Sequence, residues 1–286
     1  MRAAATRSHW LGCSGSEGGE LTLGYVYHGD PHVSRGSSPP YEAAARERAR
    51  ELLEKARDGA DIEAPLRWKG SPSAGRGLHE LAEAIGADLL VVGSSRRGLL
   101  GRVLVGDDTR AALNGAPCAV AIAPAGYADH PGLMRKIGIG YDGSPESRHA
   151  VKAARALAAE HGAKLSAFEA VSIPTFGFTA GLLPVGDWFE SLVDEARKRI
   201  ATFGDVEPHA AYGQTAEELA LYSASLDLLV VGSRGYGPIG RLVHGSTTQQ
   251  LARVARCPLL VLTRAAREAR ASQATDDEDA AVAARV

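Results

Sequence analysis

The stretch Leu228-Leu-Val-Val-Gly-Ser-Arg-Gly-Tyr-Gly-Pro-Ile-Gly-Arg-Leu-Val-His-Gly-Ser246 decides the fold of this chain. Its first four residues are an apolar run typical of a buried strand. The loop that follows has the spacing G-x2-G-x9-G-S from Gly232 to Ser246. Glycines let backbone N–H groups approach a ligand closely, and the first turn of a helix offers unpaired N–H groups and a partial positive charge. A strand, a glycine loop and a helix start in this order favour a phosphate-binding site.

The same pattern occurs a second time, earlier in the chain. Ala87-Asp-Leu-Leu-Val-Val-Gly-Ser94 matches Leu226-Asp-Leu-Leu-Val-Val-Gly-Ser233 at an offset of 139 residues (232 − 93), and the match runs without a gap to Cys118 and Cys257. A repeat of this length is of domain size, so we predict two homologous domains. The predicted divisions are a poorly ordered remnant (1–18), a degenerate, truncated domain (19–126), a complete domain (133–264) and a disordered acidic tail (265–286).

Strand and helix patterns alternate in the second domain. Apolar runs predict strands at 136–140, 164–171, 209–212, 228–231 and 259–262. Helices are predicted after the cap Ser144-Pro145 and at 188–203, 216–223 and 246–254. In the first domain, the pattern predicts a helix over Tyr41–Arg57, another that opens at Gly77, and a last strand at Ala119–Ala123. Strands that are apolar throughout indicate a parallel sheet covered on both faces. Ligands bind such sheets beyond the carboxyl ends of the strands.

Composition excludes several classes of protein. The chain has 286 residues with a formal net charge of −2, which gives no electrostatic attraction to nucleic acid or to an anionic membrane. The three cysteines lack metal-ligand spacing, and Cys118 and Cys257 fall at the starts of apolar strands, where small buried hydrophobes are expected. Neither a membrane-spanning apolar run nor a signal-peptide core is present, so a cytoplasmic protein is expected.

Two segments of the second domain together resemble the universal stress protein family: Ile139-Gly-Tyr-Asp-Gly-Ser-Pro-Glu-Ser147 and the glycine loop. The resemblance implies an α/β fold with two tandem Rossmann-like domains of the adenine nucleotide alpha hydrolase-like type. Each domain would be a parallel five-stranded sheet with helices on both faces. It also implies ATP as ligand, with magnesium left open, and no catalytic or metal-ligating residue.

The resemblance also assigns the site residues. Asp142 would contact the adenosine part, while Gly232, Gly235, Gly245 and the hydroxyl of Ser246 would surround the ribose and phosphates. The remaining candidates lie beside these residues in the sequence: Gly140, Tyr141, Arg234 and Thr247.

Simpler interpretations exist for several of these residues. Asp142-Gly143 is also the sequence of an ordinary turn. A serine at Ser246 is explained by helix capping alone, and Arg234 is as well explained by solvation as by phosphate pairing. His244 has the character of a loop surface residue, and His79 in the first domain that of a helix-surface residue.

The first domain departs from the pattern. Arg96 stands in place of the second loop glycine and Asp107 in place of the serine, where a carboxylate caps a helix and repels phosphate. Leu165 matches Leu21 at an offset of 144 (165 − 21), which puts the counterpart of Asp142 at −2, before Met1. The first strand is therefore expected to be missing, which would leave its neighbours without ladder partners or force them to pair directly.

Three functions remain open at this point. The resemblance favours a stress-response binding or signalling module that holds ATP in its second domain. A slow ATPase or phosphotransferase at the same site, and a nucleotide-free interaction protein, are the alternatives. Neither G-x-G-x-x-G after the first strand nor G-x4-G-K-[ST] occurs, which argues against a dinucleotide dehydrogenase and a P-loop ATPase. The last strands of the two domains are predicted to pair within the chain as a pseudo-dimer, and a homodimer is left open.

Overall fold

The computed structural model describes residues 19–29, 39–93, 107–124, 126–127, 132–172, 187–233 and 246–263. The strands are β1 (Leu23–His28), β2 (Leu66–Ser71), β3 (Leu89–Gly93), β4 (Ala119–Ala123), β5 (Lys136–Gly140), β6 (Lys164–Val171), β7 (Glu207–Tyr212), β8 (Leu228–Gly232) and β9 (Leu259–Leu262). The helices are α1 (Pro39–Gly59), α2 (Ala74–Ala84), α3 (Asp107–Leu113), α4 (Pro145–His161), α5 (Asp187–Ala201), α6 (Thr215–Ser223) and α7 (Ser246–Val254).

The second domain forms the predicted parallel sheet. Its strands lie in the order β7-β6-β5-β8-β9, with every neighbouring pair parallel. Apolar residues fill both faces because each face is covered by helices: α4 and α5 pack on one side and α6 and α7 on the other. The predicted helices and strands of this domain are confirmed, with two differences at their ends: β7 begins at Glu207, two residues before the predicted start, and α5 ends at Ala201, two residues before the predicted end.

The two domains join edge to edge. β4 pairs with β9 in antiparallel register, with Val120 opposite Val261 and Ile122 opposite Leu259. Thr263 Oγ1 donates a hydrogen bond to the carbonyl of Cys118 at 2.9 Å. The predicted pairing of the last strands within one chain is confirmed, and it extends the sheet to seven strands in the order β3-β4-β9-β8-β5-β6-β7.

The first domain does not form one continuous sheet. Among the described residues, β1 pairs only with β2, as a separate parallel two-stranded sheet, whereas β3 and β4 belong to the seven-stranded sheet. Within the described residues, β1 and β3 therefore do not pair with each other. Direct pairing of the neighbours, one of the two outcomes expected for a missing first strand, is thus not observed there. The cap side chain of Asp107 and the segments 1–18 and 264–286 lie outside the description.

Helices α1 and α2 hold the smaller sheet. α1 covers one face through a small core that contains Leu23 and Leu53. α2 covers the other face and reaches the larger sheet as well, since Val26 of β1, Leu78 of α2 and Leu90 of β3 belong to one buried cluster. Within the described residues, no helix is long and apolar enough to cross a membrane.

Candidate functional site

The sheet of the second domain has a switch point between β5 and β8. These strands are parallel neighbours, with Ile139 opposite Val230 and Gly140 opposite Val231, so their carboxyl ends emerge side by side. The chain leaves β5 toward α4 on one face of the sheet and leaves β8 toward the opposite face, where α7 packs. The following helices lie on opposite faces of the sheet, and the carboxyl edge beside such a switch point is where open α/β sheets bind their ligands.

Asp142 stands just beyond the end of β5 in a tight turn. Its Oδ1 accepts a hydrogen bond from the backbone N–H of Ser144 at 3.0 Å, and Gly143 adopts a positive φ of 76°. Ser144 in turn caps α4, since its Oγ accepts from the backbone N–H of Ser147 at 3.1 Å, with Pro145 in the first turn as predicted. The turn interpretation is therefore correct, and the same turn holds an exposed carboxylate at the carboxyl edge.

Tyr141 and Gly140 are held by close packing at the end of β5. Tyr141 is only 9% exposed, its N–H donates to the carbonyl of Phe168 at 2.9 Å, and its ring meets Phe203 edge-on at 5.2 Å between centroids. A Cβ at Gly140 would lie 3.0 Å from Cγ1 of Val231, so the glycine permits the close packing beside β8. Both residues fix the position of Asp142 by packing.

Gly232 is required by backbone packing at the start of the loop. A Cβ added there would lie 2.6 Å from both the carbonyl carbon and the carbonyl oxygen of Glu146, in the first turn of α4. The next residue, Ser233, donates its N–H to the carbonyl of Leu262 on β9 at 3.0 Å. The end of β8 at Gly232 therefore lies against the first turn of α4, the helix that follows the Asp142 turn.

The rest of the predicted loop is only partly described. Arg234, Gly235 and Gly245 lie outside the described residues, as do His244 and, in the first domain, Arg96. Ser246 begins α7 as predicted, and Thr247 is half-buried in the first turn of that helix. Of the predicted site residues, the structure thus brings together Gly140, Tyr141, Asp142 and Gly232.

An ion pair next to Tyr141 was not anticipated from the sequence. Glu169 on β6 accepts from Nη2 of Arg199 on α5 at 2.6 Å, and the glutamate side chain is only 13% exposed. This hydrogen bond raises the pKa of the Arg199 guanidinium. The sequence does contain one indication of this ion pair, because Glu169 is a charged residue near the end of the predicted strand 164–171. The pair fastens α5 to the strand that neighbours β5.

The remaining reactive side chains serve the core. Cys118 and Cys257 are each only 3% exposed, which confirms the prediction that they are small buried groups, and this burial raises the pKa of Cys118 to about 11 and that of Cys257 to about 12. His79 differs from the prediction: it is half-buried, and its Nε2 contacts the carbonyl of Ala112 at 2.8 Å, which ties α2 to α3. The described residues contain no cluster of three metal-ligating side chains.

These features define a tandem α/β protein with a switch point between β5 and β8 in its second domain. The sequence model of the universal stress protein family matches residues 9–124 and 134–275. The chain therefore belongs to the universal stress protein family.

Individual relatives agree with this assignment. A universal stress protein of Mycobacterium tuberculosis is 26% identical over 237 residues, which is 77% of this chain and 78% of that protein. One from Thermus aquaticus is 30% identical over 147 residues, 46% of this chain and 99% of its own length. A solved universal stress protein structure from Archaeoglobus fulgidus superposes with a TM-score of 0.56 at 18% identity and covers 86% of each chain. This last likeness concerns the fold.

Proposed function

We propose that the second domain binds one ATP molecule in the crevice between β5 and β8, and that the chain acts as a nucleotide-dependent binding or signalling module. The observation that supports this most directly is the contact of Gly232 with the first turn of α4. It places the start of the glycine loop and the Asp142 turn at adjacent strand ends, where a ligand can reach both.

Each part of the crevice suits a different part of the nucleotide. The exposed Asp142 carboxylate can accept hydrogen bonds from ribose hydroxyls or from an amine. The loop that ends at Ser246 supplies backbone N–H groups, and α7, which starts there, adds the partial positive charge of its first turn. Arg234 adds charge-assisted pairing to a phosphate in this proposal.

The first domain lacks the combination of a loop glycine and a serine at the helix start that the second domain has. Arg96 and Asp107 replace the loop glycine and the serine, and Thr109 Oγ1 donates to the carbonyl of Gly93, where the loop begins, at 3.3 Å. A carboxylate at the first position of α3 repels phosphate. One nucleotide per chain is therefore expected.

Calorimetric titration with ATP and magnesium tests the proposal. Wild type should bind with a stoichiometry of one, and Asp142→Asn should lower the affinity about tenfold or more, equivalent to about 1.4 kcal/mol. The asparagine retains the Oδ1 that accepts from Ser144, so the turn is preserved while the charge is removed. Gly235→Arg, which copies Arg96 into the second domain, should abolish binding. The reverse exchange, Arg96→Gly, serves as control and should leave the stoichiometry at one.

Two results would overturn the proposal: the absence of heat with wild type, or equal affinity in wild type and Gly235→Arg. Product analysis after prolonged incubation then distinguishes binding from turnover. ATP recovered unchanged supports a binding module. If wild type forms ADP and Asp142→Asn does not, the protein is an ATPase and the proposal of a binding module is wrong.

A further inference from the structure

Two strands form the outer ends of the sheets, β2 in the first domain and β7 in the second. β1 and β3 share a buried cluster with α2 through Val26, Leu78 and Leu90, so their free edges belong to the interior of the first domain. Among the described residues, β2 and β7 each pair with a neighbour on one side only. In a parallel ladder, successive residues direct their N–H and C=O groups to opposite sides of the strand. Every second residue of β2 and β7 therefore directs its backbone groups away from the sheet.

The outer edge of β7 is closed to a further strand. The N–H of Gly213 donates to the carbonyl of Val171 at 3.2 Å, so the odd-numbered residues of β7 face β6 and Pro208 and Ala210 face outward. Pro208 has no N–H to donate. The carbonyl of Ala210 accepts from Nη2 of Arg197 on α5 at 3.4 Å. A proline and a covering charged side chain are the means by which edge strands avoid strand addition.

The outer edge of β2 is open. The N–H of Leu23 donates to the carbonyl of Pro65 at 2.9 Å, and this register turns the even-numbered residues of β2 outward. Among these, Trp68 and Gly70 direct an N–H and a C=O each away from β1, and no described residue pairs with them. β2 thus offers at its outer edge the backbone groups that β7 lacks or covers.

The side chains beside this open edge carry surplus positive charge. Strand alternation puts Arg67 and Lys69 on the face of β2 that α2 covers. Nζ of Lys69 lies 2.8 Å from the carboxylate of Glu80, and Nε of Arg76 lies 2.8 Å from the same carboxylate. Arg67 is exposed, donates to the carbonyl of its neighbour Leu66 at 3.2 Å, and makes no ion pair with a described residue. These four charged side chains therefore comprise three cations and one carboxylate.

The opposite face of β2 is apolar. Leu66 and Trp68 are half-buried there and pack against the small core that contains Leu23 and Leu53. A strand placed beside β2 would meet cations on one face and an indole on the other. Its own side chains would alternate in the same way, with acidic residues on the first face and apolar residues on the second.

We propose that the outer edge of β2 is a docking site for an extended acidic segment of a partner protein, which adds a third strand to the small sheet. Backbone hydrogen bonds to Trp68 and Gly70 supply affinity, and carboxylates that pair with Arg67 and Lys69 supply specificity. A second copy of β2 fits this edge poorly, because antiparallel pairing would place these cations against each other and like charges opposite one another are destabilising. The site lies in the first domain and is independent of ATP binding in the second.

Amide hydrogen exchange of the full-length chain, measured by NMR, tests the docking site. The probe is a six-residue peptide of alternating glutamate and valine with both ends blocked, which matches the six residues of β2. Saturation with this peptide should slow exchange of the amides of Trp68 and Gly70 about tenfold or more, because these groups become hydrogen-bonded. A peptide with lysine in place of glutamate should not bind.

Two N-methylated forms of the acidic peptide separate strand addition from simple charge attraction. One form carries N-methyl groups on all three glutamates, and the other carries them on all three valines. In an added strand only one of these sets faces β2, so one form should lose binding and the other should retain it. Equal affinity of both forms would refute strand addition.

Charge reversal on the protein tests the role of Arg67. Arg67→Glu should lower the affinity for the acidic peptide about tenfold. Lys152→Glu, at an exposed position on α4, changes the net charge by the same amount and should leave the affinity unchanged. No binding by wild type, or the same loss in both variants, would overturn the proposal. Protection of Trp68 and Gly70 that rises with protein concentration in the absence of peptide would assign the edge to a second copy and equally overturn it.

Discussion

Gly232, a residue of the proposed nucleotide site, is a glycine because of backbone packing. Its missing side chain lets the first turn of α4 lie against the end of β8, with no space for even a methyl group. Overpacking at a site confined by backbone cannot be relieved by a side-chain rotation. The glycine is therefore required by the fold, before any ligand is considered.

Gly232→Ala should lower the free energy of unfolding by about 1–3 kcal/mol, because the added methyl group displaces the turn at Glu146. Urea unfolding measures the change. Gly59→Ala is the control, since a Cβ at Gly59 meets no atom within 4 Å. Equal stability of Gly232→Ala and wild type would show that the contact is not tight in solution.

The two buried thiols should make the protein sensitive to alkali. Their pKa values are raised from 9.0 to about 11 for Cys118 and about 12 for Cys257, mainly by burial. A raised pKa favours the folded state fully below pH 9, and this contribution is lost as the pH rises toward the folded value. Urea midpoints should therefore fall from pH 9 to pH 11.

The double variant Cys118→Ala, Cys257→Ala should show a shallower fall in the urea midpoint over this range than wild type. Cys13→Ser alone is the comparison, because that residue is not one of the two buried thiols. A slope unchanged by the double variant would assign the alkaline loss of stability to other groups.

At the scale of elements, β5 depends on one carboxylate. Asp227 receives the N–H groups of two consecutive residues where β5 begins, and its own N–H donates to the carbonyl of Lys136 at 2.9 Å. β5 is the central strand of its domain. The first residues of this strand are held by Asp227, which directly precedes the neighbouring strand β8.

Asp227→Ala should destabilise the protein by about 1–3 kcal/mol, since two backbone donors lose a charged acceptor. Asp58→Ala, at a side chain 66% exposed, should change stability by no more than about 0.5 kcal/mol. Thermal unfolding of both variants measures the difference. A loss no larger for Asp227→Ala than for Asp58→Ala would contradict the role of the carboxylate.

Most elements of the second domain are predictable because their signals are local. Ser144 and Pro145 mark a helix start, and four apolar residues before Gly232 mark a strand. The start of β7 was predicted too late because Glu207 and Pro208 are poor strand formers, and only the ladder with Ser166 and Ala167 on β6 extends the strand to them.

At the scale of the whole molecule, one antiparallel strand pair joins the domains. β4 and β9 are fully buried, although each would be an exposed apolar edge in an isolated domain. Gln249 on α7 also donates to Asn114 Oδ1 beside α3 at 3.3 Å, so helices as well as strands meet across the junction. Each domain thus covers the edge of the other.

A fragment of residues 132–264 should associate with itself through the exposed edge of β9, because that edge loses its partner β4. Sedimentation equilibrium measures the mass. Leu260→Lys in the fragment should restore a monomer, since Leu260 stands opposite Ala121 in the present ladder. A monomeric wild-type fragment would show that β9 needs no partner.

The sequence by itself determined the repeat, the family, the strands and helices of the complete domain, and the pairing of the last strands. The repeat, the strands and the helices follow from hydrophobic period, turn chemistry and internal identity, which are properties of neighbouring residues, whereas the family and the pairing of the last strands followed from the resemblance of two motifs to that family. The tertiary structure alone decided that the first domain divides its strands between two sheets, that Gly232 rests on Glu146, and that Arg199 holds Glu169. Those contacts join residues far apart in the chain, and their geometry depends on which strands become neighbours, which no local pattern specifies.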